Sequence, residues 1–409
     1  MSTITLDNNK INTIYQAKYP EALVTPLYKK ILKVFANFLS IILFPIGVIR
    51  LLDFGLRALV TRLAILPAAR ITFPKISENR VTFKTPDGVT LEGIYIEGKI
   101  PGKAIAVCMG NAMSCQNAFD QDIPNVFQKL EFEDSRRPTF EPGEADIEVD
   151  PVNHRVDADG FNARDAGAGE NQFLEHVRYK REGHYQFLVD AGYSVLAFNP
   201  RDVGESGGIA LPEDLPLDSY SALSYLREEK KMEKVGFCGF SLGAANGVRG
   251  AALFDPNIPV VLDRTFDNLV LETEILVAKL FSALKNSKNY SKFWWHRLVK
   301  ILPPALAGKC AAFFIFILRL QINAREAYDK MAKGNVFCVS HQQDGVIPQE
   351  ASMMRDEKLY GMKISDNHYQ PEEDEDSIDV HLMRASFHIR RLEKKEQEFI
   401  LDFLKDSLQ

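Results

Sequence analysis

Little in this 409-residue chain speaks for disulfide or metal chemistry. It holds five cysteines, no C-x-x-C pair, and no Cys/His spacing that would seat zinc. Cys108, Cys238 and Cys338 lie inside short apolar runs that read as strands, so buried free thiols of a reducing compartment are expected. A basic excess is also missing. Lys and Arg number 49 against 55 Asp and Glu, a net charge of −6, which offers no surface to neutralise phosphates and excludes nucleic acid as a partner. The opening MSTITLDNNKINTIYQ has no basic stretch followed by an apolar core, so no Sec signal peptide is expected there. Nor does an apolar run reach the ~20 residues of a spanning helix. The strongest, ILKVFANFLSIILFPIGVIRLL (31–52), is bracketed by Lys33 and Arg50 and interrupted by Pro45 and Gly47. DFGLRALVTRLAILPAAR follows, with arginines between apolar residues at helical spacing. Residues 1–75 therefore read as a helical region that lies on a membrane surface or braces the rest of the chain.

From residue 80 a regular alternation is present. NRVTFKTPDGVTLEGIYIEG carries two alternating runs joined by Pro-Asp-Gly, the pattern of a β-hairpin. KAIAVC, SVLAF, KVGFCGF, PVVLD and VFCVSH are short, continuously apolar runs, as in strands buried on both faces. HYQFLVDAG, LDSYSALSYLREEK and the stretch after Ser241 read as helices between them, LYGMKIS as a last strand and EKKEQEFILDFLKDSL as a closing amphipathic helix. Strands alternating with helices predict an α/β fold with a mostly parallel sheet flanked by helices. Two insertions break the rhythm. Residues 131–175 carry thirteen acids against four arginines, about −9, with few aliphatic clusters, and read as a disordered acidic loop. Its DADGFNARD alternates oxygen-bearing residues as a calcium loop does but lacks the closing glutamate, so no metal site is assigned. Residues 265–333 read as a helical cap, with CAAFFIFILRL as its buried helix.

The chemistry centres on VGFCGFSLGAANG (235–247). Gly239-Phe240-Ser241-Leu242-Gly243 fits G-x-S-x-G, with an apolar strand before it and a helix after it. That context lifts the Ser241 hydroxyl above the sheet edge and aims helix N-terminal amides at any negative charge that forms there. A serine hydroxyl needs a base to take its proton and an acid to orient that base, in the chain order serine, acid, histidine. Asp344, just past VFCVSHQQ, is the expected acid; His341 precedes it and is read as structural. His381 (DVHLMRAS) is favoured as the base, with His368 (ISDNHYQP) as the alternative; His388, in the approach to the closing helix, ranks behind both. The oxyanion donors expected are the backbone N–H of Leu242 and that of Asn111 or Ala112 in the loop after MGNA. Asp263 is a second candidate acid, although an Asp263–Arg264 pair bracing the cap is the stronger reading. Arg201, Asp202 and Glu205 are read as holding their glycine-rich loop.

With these residues in place, the chain resembles an α/β-hydrolase from about residue 80 to 409, within a domain drawn at 76–409, and the two insertions stand outside the resemblance. More narrowly, MGNA, FNPRDVGESGG, GFSLGAANG and LDRTFDNL resemble the CHLPS-type family of Chlamydia and of Legionella secreted effectors. The resemblance implies a serine hydrolase-like protein, with the elbow carried over to Ser241 and the acid loop to Asp344, and with delivery from a bacterial cytoplasm into a host cell as an extension. No cofactor is implied. The apolar cap and N-terminal segment point to a small-molecule or lipid ester as substrate, cleaved by an esterase or lipase-like enzyme. The competing expectation is a catalytically silent scaffold that binds a membrane surface or a host protein.

Overall fold

Pro-Asp-Gly turns the chain where the pattern requires it. Gly88 adopts a φ of 90°, and the Thr85 N–H donates to the Val89 carbonyl at 2.8 Å. This closes an antiparallel hairpin of β1 (Arg80–Lys84) and β2 (Thr90–Ile96), with Lys84 opposite Thr90. The computed structural model describes residues 55–59, 61, 79–111, 113–119, 121–123, 179–181, 183–286, 301–355, 359–364 and 388–409. The acidic insertion 131–175 and nearly all of region 1–75 lie outside them.

The chain divides into two units. The smaller, Phe119–Gly183, contains an antiparallel pair after β3 (Lys103–Cys108): β4 (Gln121–Ile123) and β5 (Tyr179–Arg181). In the larger unit, helix α1 (Gln186–Asp190) leads into β6 (Ser194–Phe198), and α2 (Leu215–Ser224) into β7 (Lys234–Phe240). Next come α3 (Leu242–Phe254), β8 (Val260–Asp263), α4 (Leu269–Asn286), α5 (Pro304–Ile317) and α6 (Ala324–Tyr328). β9 (Val336–His341), β10 (Gly361–Ile364) and α7 (Lys394–Ser407) complete it.

Eight strands form one sheet in the order β1-β2-β6-β3-β7-β8-β9-β10. β2 is antiparallel to both β1 and β6, and every other pairing is parallel. The mostly parallel α/β sheet expected from the alternation is therefore present. Its centre is dry on both faces: in β3, Ala104 and Ala106 share a core cluster with α2 and α3, while Ile105 and Val107, pointing the other way, are equally buried. From β3 the chain steps to β6 on one side, then crosses to β7 on the other. Open α/β sheets form a crevice at the carboxyl ends of the strands where the order reverses in this way. Residues 109–111 and Ser241 stand there, at the ends of β3 and β7.

α5 corrects one expectation. It packs on α4 through Ala307, Gly308 and Ala312, and Gly308 sits so close to the Glu274 carbonyl that a methyl group could not fit. That stripe of small residues takes the buried side, so FFIFI is not a buried run. Phe313, Phe314, Phe316 and Ile317 are 58%, 63%, 60% and 52% exposed. Among the described residues no helix is long and apolar enough to cross a membrane.

Candidate active site

Ser241 ends β7 and precedes the first residue of α3, with φ 52° and ψ −123°. This conformation is strained for a residue bearing a Cβ and is tolerated where surrounding structure imposes it. Here the imposition is explicit. The Ser241 N–H donates to the Asp263 carbonyl at 2.8 Å, and the Thr265 hydroxyl donates to the Ser241 carbonyl at 2.7 Å. The flanking glycines have separate reasons. A Cβ at Gly239 would meet the Ala244 Cα at 2.5 Å, and one at Gly243 would collide with the backbone carbonyls of Cys108 and Met109. The second glycine thus lets the helix N-terminus lie against the end of β3.

His388 faces the serine. Its Nε2 is 2.9 Å from Ser241 Oγ, and its Nδ1 is 2.7 Å from Asp344 Oδ2. With Nδ1–H donating to the carboxylate, Nε2 is left as an acceptor for the serine proton. Asp344 is itself fixed, since its Oδ1 accepts from the Val346 and Ile347 amides, both at 2.8 Å. All three residues are buried. The ring beside Ser241 is thus that of His388, ranked behind the other two in the sequence; the favoured His381 and the alternative His368 lie outside the described residues. Asp344 comes from the loop after β9, and His388 from the approach to α7. His341, at the end of β9, accepts from the Gln343 N–H through Nδ1 at 3.2 Å.

A second layer holds His388. Arg264 is buried with φ 45°, and its Nε and Nη2 fork onto Asp263 Oδ1 and Oδ2 at 2.7 and 2.8 Å. Its Nη1 donates to the Arg390 carbonyl, two residues beyond His388. The guanidinium also lies 4.8 Å from the centroid of the Phe240 ring, which in turn contacts the His388 ring at 5.1 Å. The Asp263–Arg264 pair, read from the sequence as a brace for the cap, instead braces the segment that carries His388. Asp263 accepts from Arg264 and from the Tyr185 hydroxyl at 3.3 Å, while Asp344 is the carboxylate against the imidazole.

The expected oxyanion donors divide. Leu242 supplies the first amide of α3, one of the four that a helix leaves outside its own ladder. Gly110 is pressed against the elbow, since a Cβ there would meet Phe240 Cδ1 at 2.8 Å and Ser241 Cβ at 3.0 Å. This brings the Gly110–Asn111 backbone alongside Ser241. Asn111 Oδ1 is buried without a partner, and Ala112 lies outside the described residues. Behind these amides is a cavity of about 10 Å³ bordered by Met109, Gly110, Leu242, Gly243 and Asn246, space for about one water.

Other groups fall into place around this centre. Arg201 pairs with Asp218 at 2.8 Å and Asp87 at 2.9 Å, tying the loop after β6 to α2 and to the β1–β2 turn. Glu205 pairs with Arg80 at 2.5 Å. Both act as the loop supports expected from the sequence. Cys108, Cys238 and Cys338 are free and buried, and burial pushes all three thiols up, Cys338 to about 12. They are inert rather than nucleophilic. Glu272, in the first turn of α4, drew no notice in the sequence. It is buried, both carboxylate oxygens lack partners, and burial followed by the negative field of Asp344 raises its pKa to about 9. Among the described residues no cluster of His, Cys, Asp and Glu could hold a metal ion.

No protein-family model and no curated protein matches this chain, so the likeness to the CHLPS-type family rests on its motifs alone. Solved structures similar to it include an α/β-hydrolase from Vibrio vulnificus, 15% identical over 85% of this chain and 93% of that one, with a TM-score of 0.47. An esterase from Pyrococcus furiosus is 18% identical over 83% and 97%, with a TM-score of 0.45. An α/β serine hydrolase without a lid from Xanthomonas campestris is 14% identical over 82% and 97%, with a TM-score of 0.34.

Proposed function

We propose that this chain is a serine hydrolase of α/β-hydrolase type that cleaves ester bonds, with Ser241 as nucleophile, His388 as general base and acid, and Asp344 as the orienting carboxylate. The observation that carries the reading is the pair of contacts on one imidazole, 2.9 Å to Ser241 Oγ and 2.7 Å to Asp344 Oδ2. As Oγ attacks the ester carbonyl carbon, its proton passes to His388 Nε2, and the Asp344 charge stabilises the resulting imidazolium. The carbonyl oxygen becomes an oxyanion, held by the Leu242 N–H and by the N–H of Asn111 or Ala112. Collapse expels the alcohol, which takes the proton from Nε2 and leaves an acyl-serine. Water then repeats the sequence and releases the acid. Motif, strained elbow and chain order Ser…Asp…His all support the same assignment. The apolar helical hairpin α4–α5 favours a long acyl or lipid-like ester.

The scaffold reading rests on the unclear base, the acidic insertion and the interfacial N-terminus, and His388 at hydrogen-bond distance from Ser241 supports the hydrolase against the first of these. Labelling of the folded full chain with a fluorophosphonate tests the proposal. Labelling is expected in the parent and absent in Ser241→Ala; undiminished labelling of Ser241→Ala, or none in the parent, would refute it.

A further inference from the structure

α5 is amphipathic in the inverted sense. Its protein-facing stripe is Ala307, Gly308 and Ala312, while Leu306, Phe313, Phe314, Phe316 and Ile317 are turned to the outside, each about half exposed or more. Burial against water would favour the opposite orientation, and contiguous exposed aromatics of this kind mark a surface that meets something apolar. The patch extends beyond the helix. In the helical turn over 55–59, the Arg57 Nε donates to the Leu318 carbonyl at 2.8 Å and its Nη2 pairs with Glu213 at 2.7 Å. This anchors the exposed Leu56 and Leu59 beside the end of α5.

The charge around the patch identifies the partner. From residue 275 to residue 325 the sequence carries nine Lys and Arg and no Asp or Glu, in a chain whose net charge is −6. Four of the nine are Lys279 and Lys285 on α4, Lys309 on the outer face of α5, and Arg319 just after it. Lys279 is paired with Glu350 at 3.3 Å, but α5 itself carries no acid, and exposed aromatics flanked by cations are the composition of a surface that settles at the headgroup level of an anionic bilayer. A second copy of the chain fits poorly, because a two-fold contact would bring Lys309 and its neighbours against their own equivalents. Crossing the bilayer is excluded for α5 by length: its 14 residues span about 21 Å, short of the ~30 Å hydrocarbon core.

We infer that the outer face of α5, with Leu56 and Leu59, docks this protein onto an anionic phospholipid surface. The inference is independent of the hydrolase reading, and its test does not involve turnover. Full-chain protein is floated with phosphatidylcholine vesicles, and with the same vesicles containing roughly one-third phosphatidylglycerol. Binding is expected to be at least about tenfold tighter on the anionic vesicles and to be weakened by high salt. The triple variant Phe313→Ser/Phe314→Ser/Ile317→Ser is expected to lose about tenfold or more on both compositions, and Lys309→Glu to weaken only the anionic case. If the triple variant fails to fold, the single variants Phe313→Ser and Phe314→Ser replace it, each expected to lose about threefold or more on both compositions. The inference is overturned if the parent floats with neither composition, or if the folded triple variant floats as the parent does, which would assign binding to segment 31–52. It is equally overturned if the folded single variants float as the parent does, or if the lipid-free parent is a dimer that the triple variant dissociates.

Discussion

Replacing His388 by alanine removes the only ring that the described residues place against Ser241. The imidazole makes two polar contacts, 2.7 Å to Asp344 and 2.9 Å to Ser241, and one ring contact, 5.1 Å to Phe240. Loss of the base from a nucleophile–base–acid unit costs on the order of 10⁴–10⁶ in kcat, equivalent to about 5–8 kcal/mol of transition-state stabilisation. The cost to folding is far smaller. Asp344 keeps both amide donors on Oδ1, so the buried carboxylate is not orphaned, and a loss on the order of 1–3 kcal/mol follows from the missing hydrogen bond and packing. The variant should therefore be folded and inactive. Hydrolysis of a chromogenic short-chain ester is the assay, with fluorophosphonate labelling rate as a second readout and thermal unfolding as the control. His368→Ala and His381→Ala should stay within about threefold of the parent by the same assay, since neither belongs to the proposed Ser241–His388–Asp344 unit. The reasoning is refuted if His388→Ala retains more than about a tenth of parent activity while one of the other two abolishes it.

Two further outcomes follow from buried charges. Glu272 carries a folded-state pKa of about 9 against an ordinary 4.5, so the folded chain keeps a proton that the unfolded chain gives up. Its contribution is thus complete below about pH 4.5 and declines as pH rises toward 9, by at most about 1.4 kcal/mol per unit. Glu272→Gln should remove that slope and be more stable than the parent at pH 8, by an amount on the order of 2–4 kcal/mol. Urea denaturation at pH 5 and pH 8 reads this directly, and equal slopes in both proteins would sink it. Arg264→Met strands Asp263 in the interior and frees the Arg390 carbonyl, so a loss of about 3–5 kcal/mol is expected in denaturant. Arg264→Lys keeps the charge but not the fork. It should lower kcat more than it raises KM, because the His388 segment loses its tether; unchanged kcat would argue against the positioning role.

How much was legible in the sequence depended on how local each signal is. The sheet strands and the elbow at Ser241 announce themselves within a few residues, through continuous apolar runs and two glycines that have separate steric tasks. Asp344 follows from its place just past a strand. The base does not, because the contact between His388 and Ser241 joins residues 147 apart, and three histidines compete in a stretch whose loop path has no periodicity. A signal was present in retrospect. Arg264 reaches the carbonyl of Arg390, and His388 is the histidine nearest that tether in the chain. The outward turn of α5 was hidden for another reason. A helix apolar nearly all round has no preferred face by composition, and only the small residues at Ala307, Gly308 and Ala312 decide which side can approach α4.

Three residues at and just past the end of β8 hold both Ser241 and the segment that carries His388. The Asp263 carbonyl and the Thr265 hydroxyl grip the backbone of Ser241, and the Arg264 side chain between them grips the segment leading away from His388. Nucleophile and imidazole thus share one mount, and a displacement of that mount carries both together. The 2.9 Å spacing between the serine oxygen and the ring nitrogen is thereby tied to one short stretch of chain.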